Sequence, residues 1–386
     1  MSRVRPRRAS ASGHHALARV AHPHLFHLPA ALLRQLDRGG PLESPWVVAA
    51  LGGLLATSLL LAVGRHRQAG PPGGRRRLRR AVLAAWLSVV TALTGLAALN
   101  LYVGYVPTLP DLLGGVPSSG PGGGSRVVEL SIRAPSLDVP SSPAYVYLPP
   151  GYDDLSNAAR RYPVVYLLHG SPGGPADWFR AGDVRQVMDA MVRDGLVQPM
   201  IVVTPDATGG WLHDSEMLNQ LHGPQVETYL TQTVVGAVDR RFRTAADRAG
   251  RAVGGMSSGG YGALNLGLRH QDRYSVILSA MPYGDPGPVT RSLLGGSHAL
   301  WLANSPRLYI PAMAFRHPMA VDLLAGSRDP TRHETGRLAG LLRARGQHAV
   351  DTVVAGANHT WRGARAELPY ALMFASQRLT APEPSR

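Results

Sequence analysis

RAVGGMSSGGYGALNLGL, residues 251–268, decides how this chain is read. An apolar run enters Gly255-Met256-Ser257-Ser258-Gly259, and helical spacing follows from Gly262 to Leu268. A strand that feeds a helix through so tight a turn strains its central residue, and only small neighbours leave room for it. That residue is Ser257. It is expected at the carboxyl end of a strand, with a helix N-terminus behind it to favour developing negative charge. In a chain with 44 glycines, Gly-x-Ser-x-Gly alone is a weak signal. The strand before it and the helix after it give it weight against the plainer alternative, a glycine-rich turn carrying an ordinary serine.

Outward from this turn the pattern alternates. Residues 127–132 and 144–149 read as strands, the apolar runs 163–170 and 199–206 as buried ones, and 274–280, 319–326 and 349–356 as three further strands. Helical spacing occupies 182–194, 224–240, 332–345 and 363–378. Strands alternating with helices predict an α/β fold with a doubly wound, mostly parallel sheet covered on both faces. Residues 284–318, rich in Gly, Pro and Ser, fit no clean element and are read as an insertion near the site, a candidate lid.

A serine nucleophile needs a base, and the base needs an orienting acid. His359 lies in Gly356-Ala357-Asn358-His359-Thr360-Trp361, after the last strand, and Asp329 lies in Gly326-Ser327-Arg328-Asp329-Pro330, after the preceding one. The chain order Ser257, Asp329, His359 is that of α/β-hydrolases. Glu334 is the alternative acid. The oxyanion needs two backbone N–H donors, expected at Ser258, directly after the nucleophile, and at Ser171 in the loop that follows Leu168-His169-Gly170. Gly170, Gly173 and Gly174 let that backbone approach a substrate. His169 precedes the nucleophile and is read as a support for the loop.

The motifs PPGYD, YPVVYLLHGSPGGPADW, GGMSSGGYGA and GANHTW, in this order, resemble the putative-esterase family of α/β-hydrolases. That family includes esterase D (S-formylglutathione hydrolase), enterochelin-type and feruloyl esterases, and the mycolyltransferases. The resemblance covers about residues 126–380. It implies a triad of Ser257, Asp329 and His359 and oxyanion donors at Ser171 and Ser258; no cofactor or metal is expected. Trp361 matches a residue that lines the acyl or acceptor pocket in mycolyltransferases, and Trp178 is assigned to the same pocket. Ser258 stands where the family commonly has Met, which leaves a backbone donor intact and alters the pocket wall.

Upstream, 46–64 (WVVAALGGLLATSLLLAVG) and 81–106 (AVLAAWLSVVTALTGLAALNLYVGYV) contain no charged residue. Their lengths suit two membrane-spanning helices, with Trp46, Tyr102 and Tyr105 near the ends, where amphipathic rings favour the interface. Between them lies RHRQAGPPGGRRRLRR (65–80), with seven Arg and no acid. Short loops of this kind stay in the cytoplasm, so residues 107–386 are expected outside. The organisation expected is a basic N-terminal arm (1–45) with His14, His15, His22, His24 and His27, a transmembrane hairpin (46–106), a Pro/Gly/Ser tether (107–125) and an esterase domain (126–380). Such a hairpin resembles that of actinobacterial members with anchored catalytic domains.

The net charge of +15 includes no Lys, and residues 1–80 hold fourteen Arg against Asp37 and Glu43. The basic excess therefore belongs to the N-terminal segment, and a nucleic-acid partner is excluded on that ground. With no cysteine, a disulfide scaffold, a thiolate metal site and a Cys nucleophile are excluded together. Three classes of function remain. The first is a serine esterase or acyltransferase acting through an acyl-serine on lipid, glycolipid or envelope esters. The second is a non-catalytic surface module on the same fold. The third is a membrane scaffold in which the hairpin is the working part, and little in the apolar runs beyond Ser, Thr and Asn100 supports it.

Overall fold

The computed structural model describes residues 28–36, 39–67, 74–116, 124–210, 213–288 and 290–381. The His14–His27 cluster and the middle of the Arg-rich loop (68–73) lie outside them. Helix α1 (Pro45–Arg67) and helix α2 (Gly74–Val103) form a hairpin, with the Trp86 indole donating to Ser58 Oγ at 3.1 Å. Both are long and apolar enough to cross a membrane, with mean hydropathy of 2.2 over Pro45–Gly64 and 2.1 over Arg77–Val103. Protein covers almost none of this surface: Leu60 is 74% exposed, although a helix apolar all round needs an apolar surrounding.

Where α2 ends, Asn100 explains the one amide in these runs. Its side chain donates to Leu42 O and Val106 O and accepts the Val106 N–H. The first half of the segment read as a tether is not free. Thr108 and Asp111 form a capping box on the short helix Leu109–Leu112, and Gly114 O accepts a hydrogen bond from Arg180. Of that segment, 117–123 lie outside the described residues.

Eight strands make one sheet: β1 (Arg126–Ala134), β2 (Val139–Leu148), β3 (Val164–Leu168), β4 (Ile201–Thr204), β5 (Arg251–Met256), β6 (Val276–Ala280), β7 (Ala320–Gly326) and β8 (His348–Val354), ordered β1-β2-β4-β3-β5-β6-β7-β8. β1–β2 and β2–β4 are antiparallel, and the other pairs are parallel. The difference follows burial. Every residue of β3, β4, β5 and β6 is buried, as a strand covered on both faces requires, whereas β1 has exposed and part-buried residues between its buried ones.

One face is covered by α3 (Val184–Arg193) and, later in the chain, Trp361–Ser376, through residues such as Met188 and Leu372. The other is covered by the helical stretch 226–241, α4 (Ser258–Arg269) and α5 (Arg332–Ala344), through Val234, Leu264 and Leu338. We label Trp361–Ser376 α6. The carboxyl ends of β3, β4, β5, β7 and the loop after β8 thus converge on one rim, where an α/β sheet places its ligand site.

The segment 284–318 forms three short helices, Thr290–Leu293, His298–Ala303 and Pro306–Tyr309. It is pinned to α4: the Tyr261 hydroxyl donates to Asn304 O at 2.6 Å, and the Asn265 amide donates to Asn304 Oδ1 at 3.0 Å.

Candidate active site

Ser257 sits between β5 and α4 with φ 57° and ψ −120°, a conformation costly for any residue with a side chain. Two contacts hold it there: its N–H donates to Ala280 O at 3.0 Å, and its C=O accepts the Tyr261 N–H at 2.9 Å. Gly255 and Gly259 are required by close approach. A Cβ at Gly259 would lie 2.3 Å from Leu168 O, and one at Gly255 2.4 Å from Gly259 O. Helix α4 begins at Ser258 rather than at Gly262, so the N–H of Ser258 is one of the first-turn donors with no intrahelical acceptor.

His359 Nε2 lies 2.8 Å from Ser257 Oγ. Its Nδ1 lies 3.1 and 3.0 Å from the two carboxylate oxygens of Asp329, which is 5% exposed. Burial alone would raise the Asp329 pKa. Hydrogen bonds from His359 and Thr331 outweigh it and hold the carboxyl below its usual range, so it is ionised. Glu334 is elsewhere, paired with Arg307 at 3.3 Å and Arg337 at 3.8 Å. The three residues picked from the sequence are therefore together, and the alternative acid is engaged in a different cluster.

Ser171 lies in the loop after β3. Gly170, before it, packs on the turn, where a Cβ would sit 3.6 Å from the Ser257 Cβ. His169 is buried and supports this loop. Its Nε2 accepts the Ala207 N–H at 3.0 Å, which leaves the proton on Nδ1 to donate to Gly170 O at 2.8 Å.

The two tryptophans expected at the pocket are almost fully buried, Trp178 2% and Trp361 6% exposed. Their rings meet edge to face at 5.2 Å, and the Trp178 indole donates to Leu168 O at 2.9 Å. Rings at the start of α6 and in the short helix Asp177–Arg180 fill the space between the two loops, so they brace the site. A cavity of about 370 Å³ opens beside the loop, with Tyr105, Tyr145, Gly174, Asp177, Arg180 and Asp206 on its walls.

Two groups escaped the sequence reading. Glu216 and Met217 adopt consecutive left-handed conformations (φ 48° and 56°) beside α4, with Met217 Sδ 3.9 Å from Ser258 Oγ. Burial, and then neighbouring Asp214, push the Glu216 carboxyl up to about 8, and the Tyr283 hydroxyl donates to it. Tyr283 in turn stacks on Tyr261 of α4 at 5.1 Å. Only the folded path of 213–225 brings these residues to the turn.

Glu367, on α6, is 1% exposed. Burial first, and then Asp329 and Asp322, push its carboxyl well above the usual range. In the fold it therefore keeps its proton to higher pH than in the unfolded chain, where it ionises above about pH 4.3. The unfolded state then holds fewer protons, so stability falls as pH rises through this window, by up to ~1.4 kcal/mol per unit. Glu367→Gln is expected to melt above the wild type at pH 8 and alongside it near pH 4, measured by thermal unfolding in detergent. Equal melting temperatures at pH 8 would contradict a Glu367 carboxyl held above its usual range.

Comparisons with known proteins give the family and the fold. An uncharacterized protein of Corynebacterium glutamicum is 27% identical over 303 residues, 71% of this chain and 67% of its own length. An esterase of Mycobacterium tuberculosis is 34% identical over 141 residues, 36% of this chain, and that match spans only 28% of the esterase. A solved ferulic acid esterase superposes with a TM-score of 0.56 at 26% identity, covering 67% of this chain and 100% of its own. The family profile described as "Putative esterase" matches residues 141–375, well over half of the chain, and this chain belongs to that family of α/β-hydrolase esterases.

Proposed function

We propose that the chain is a serine esterase or acyltransferase that works through an acyl-Ser257 intermediate on lipid, glycolipid or other envelope esters, held at the outer face of the membrane by its hairpin. The observation that carries this reading is the continuous hydrogen-bonded line Ser257–His359–Asp329 at a strained strand–helix turn. His359 Nε2 takes the proton as Ser257 Oγ attacks the ester carbonyl, and Asp329 holds the Nδ1 proton that forms the imidazolium. The tetrahedral oxyanion receives N–H groups from Ser171 and Ser258. Collapse expels the alcohol, which takes the proton from His359. Water, or an acceptor hydroxyl, then attacks the acyl-enzyme by the same steps in reverse.

The substrate class rests on placement. The cavity beside the loop includes Tyr105, two residues past the end of α2, so an ester in the outer leaflet would meet the site first. The Arg-rich loop lies at the far end of the hairpin, and its charge favours the cytoplasmic side. A pair of fluorophosphonate probes tests both parts on intact cells. A membrane-impermeant probe and a permeant one are both expected to modify Ser257, located by peptide mapping. Labelling by the permeant probe alone would put the site inside, and labelling by neither would remove the nucleophile.

A further inference from the structure

We infer that Tyr105, at the exit of the membrane hairpin, is a positioning residue that sets the loop after β3 through Asp177. The inference rests on the esterase reading for the reaction it serves.

The Tyr105 hydroxyl donates to Asp177 Oδ1 at 3.0 Å, and Asp177 Oδ2 accepts the Gly174 N–H at 2.8 Å. Asp177 is 3% exposed, so both bonds are shielded from water and compete little with it. The loop is clasped here: a Cβ at Gly173 would lie 2.7 Å from Asp177 Oδ2 and 3.0 Å from His169 Nδ1. Ser171, whose N–H is the proposed oxyanion donor, is three residues from the clasped amide. On its other side the Tyr105 ring packs on Trp361 at 6.4 Å, and Trp361 starts α6 two residues after His359. A single side chain thus touches the supports of both the oxyanion loop and the base.

Its own position is fixed from behind. Arg365 of α6 pairs with Glu43 at 2.7 Å, on the segment before α1, and donates to Gly104 O at 3.0 Å, next to Tyr105. Both outer ends of the hairpin are therefore fastened to α6 rather than hung from a flexible chain. Burial works against a charge on Asp177. The Gly174 N–H, His169, the Tyr105 hydroxyl and Arg180 offset only part of it, so the carboxyl stays above its usual range and depends on each of these partners. Removing the hydroxyl leaves the carboxylate one partner short and frees it to turn from Gly174, so the donor at Ser171 loses alignment with the developing oxyanion. That interaction counts most in the transition state, so the loss falls on kcat rather than KM.

The test uses the full chain in lipid nanodiscs, with p-nitrophenyl butyrate as substrate and hydrogen exchange at residues 170–177. Tyr105→Phe keeps the ring on Trp361 and loses only the hydroxyl. It is expected to lower kcat by about tenfold with KM within about twofold, to leave the melting temperature unchanged, and to speed exchange at Gly174. Asp177→Asn, which cannot accept both donors equally well, is expected to act in the same direction. A Tyr105→Phe enzyme with kcat within about twofold of wild type would overturn the inference, as would a loss of kcat matched by a loss of global stability. Ser257→Ala separates the two readings. If the wild type hydrolyses no faster than that variant, the esterase reading fails. Exchange at Gly174 then decides the coupling alone, and unchanged exchange in Tyr105→Phe overturns it.

Discussion

Ser257→Ala is expected to lower kcat for ester hydrolysis by at least about 10³-fold while leaving the fold intact. The hydroxyl is the only group at the turn placed 2.8 Å from His359 Nε2, so without it no acyl-enzyme forms. What survives is water attack, assisted by His359 and by N–H donors that the substitution leaves in place, and such residual catalysis remains well above the uncatalysed rate. The backbone at 257 has φ 57° for either residue, so alanine meets the same strain as serine and the melting temperature should move little. Rates and labelling by a fluorophosphonate probe check the prediction together: the rate should fall by at least about 10³-fold to that residual level, and labelling should vanish in the variant. Near-wild-type hydrolysis with a folded Ser257→Ala protein would place the nucleophile elsewhere.

The turn was legible in the sequence because its constraints are local. Gly255 and Gly259 are small because Leu168 O and Gly259 O crowd them, and the motif carries that requirement on its face. Asp329 and His359 were legible by chain order, since each follows a strand of a sheet whose carboxyl ends meet. The start of α4 was misplaced at Gly262 because glycine disfavours a helix interior, yet Gly260 must be there: a Cβ would lie 2.1 Å from Ala280 O.

Tyr105–Asp177 and Tyr283–Glu216 were invisible for a different reason. They join residues 72 and 67 positions apart through loops with no periodic pattern. Composition also misled. Residues 107–116 look like a Pro/Gly tether, but Thr108-Leu109-Pro110-Asp111 holds the capping-box spacing, with Pro and an acid in the first turn. The burial of Trp178 and Trp361 against each other is equally invisible in sequence, because it depends on the apolar gap between two packed loops.

Asp329→Asn is expected to cost about 10³- to 10⁴-fold in kcat, while Glu334→Gln stays within about threefold of wild type. The ranking follows from which atoms are already committed. Asp329 Oδ1 accepts both the N–H and the hydroxyl of Thr331, each at 2.7 Å. In an asparagine, the carbonyl oxygen must keep that place, because an NH2 there would face two donors. The NH2 then occupies the Oδ2 position, 3.0 Å from His359 Nδ1. Donating to Nδ1 fixes the other tautomer, with the proton on Nε2 pointing at Ser257 Oγ. An imidazole in that state cannot take the serine proton, so the geometry survives and the base does not. Glu334 has no such hold on His359. Its carboxylate serves Arg307 and Arg337, and a glutamine there weakens half-exposed ion pairs of small worth. Kinetics on the two purified variants, with melting temperatures measured alongside, decide between the acids. The reverse ranking would move the orienting role to Glu334 and require α5 to approach His359 in the working enzyme.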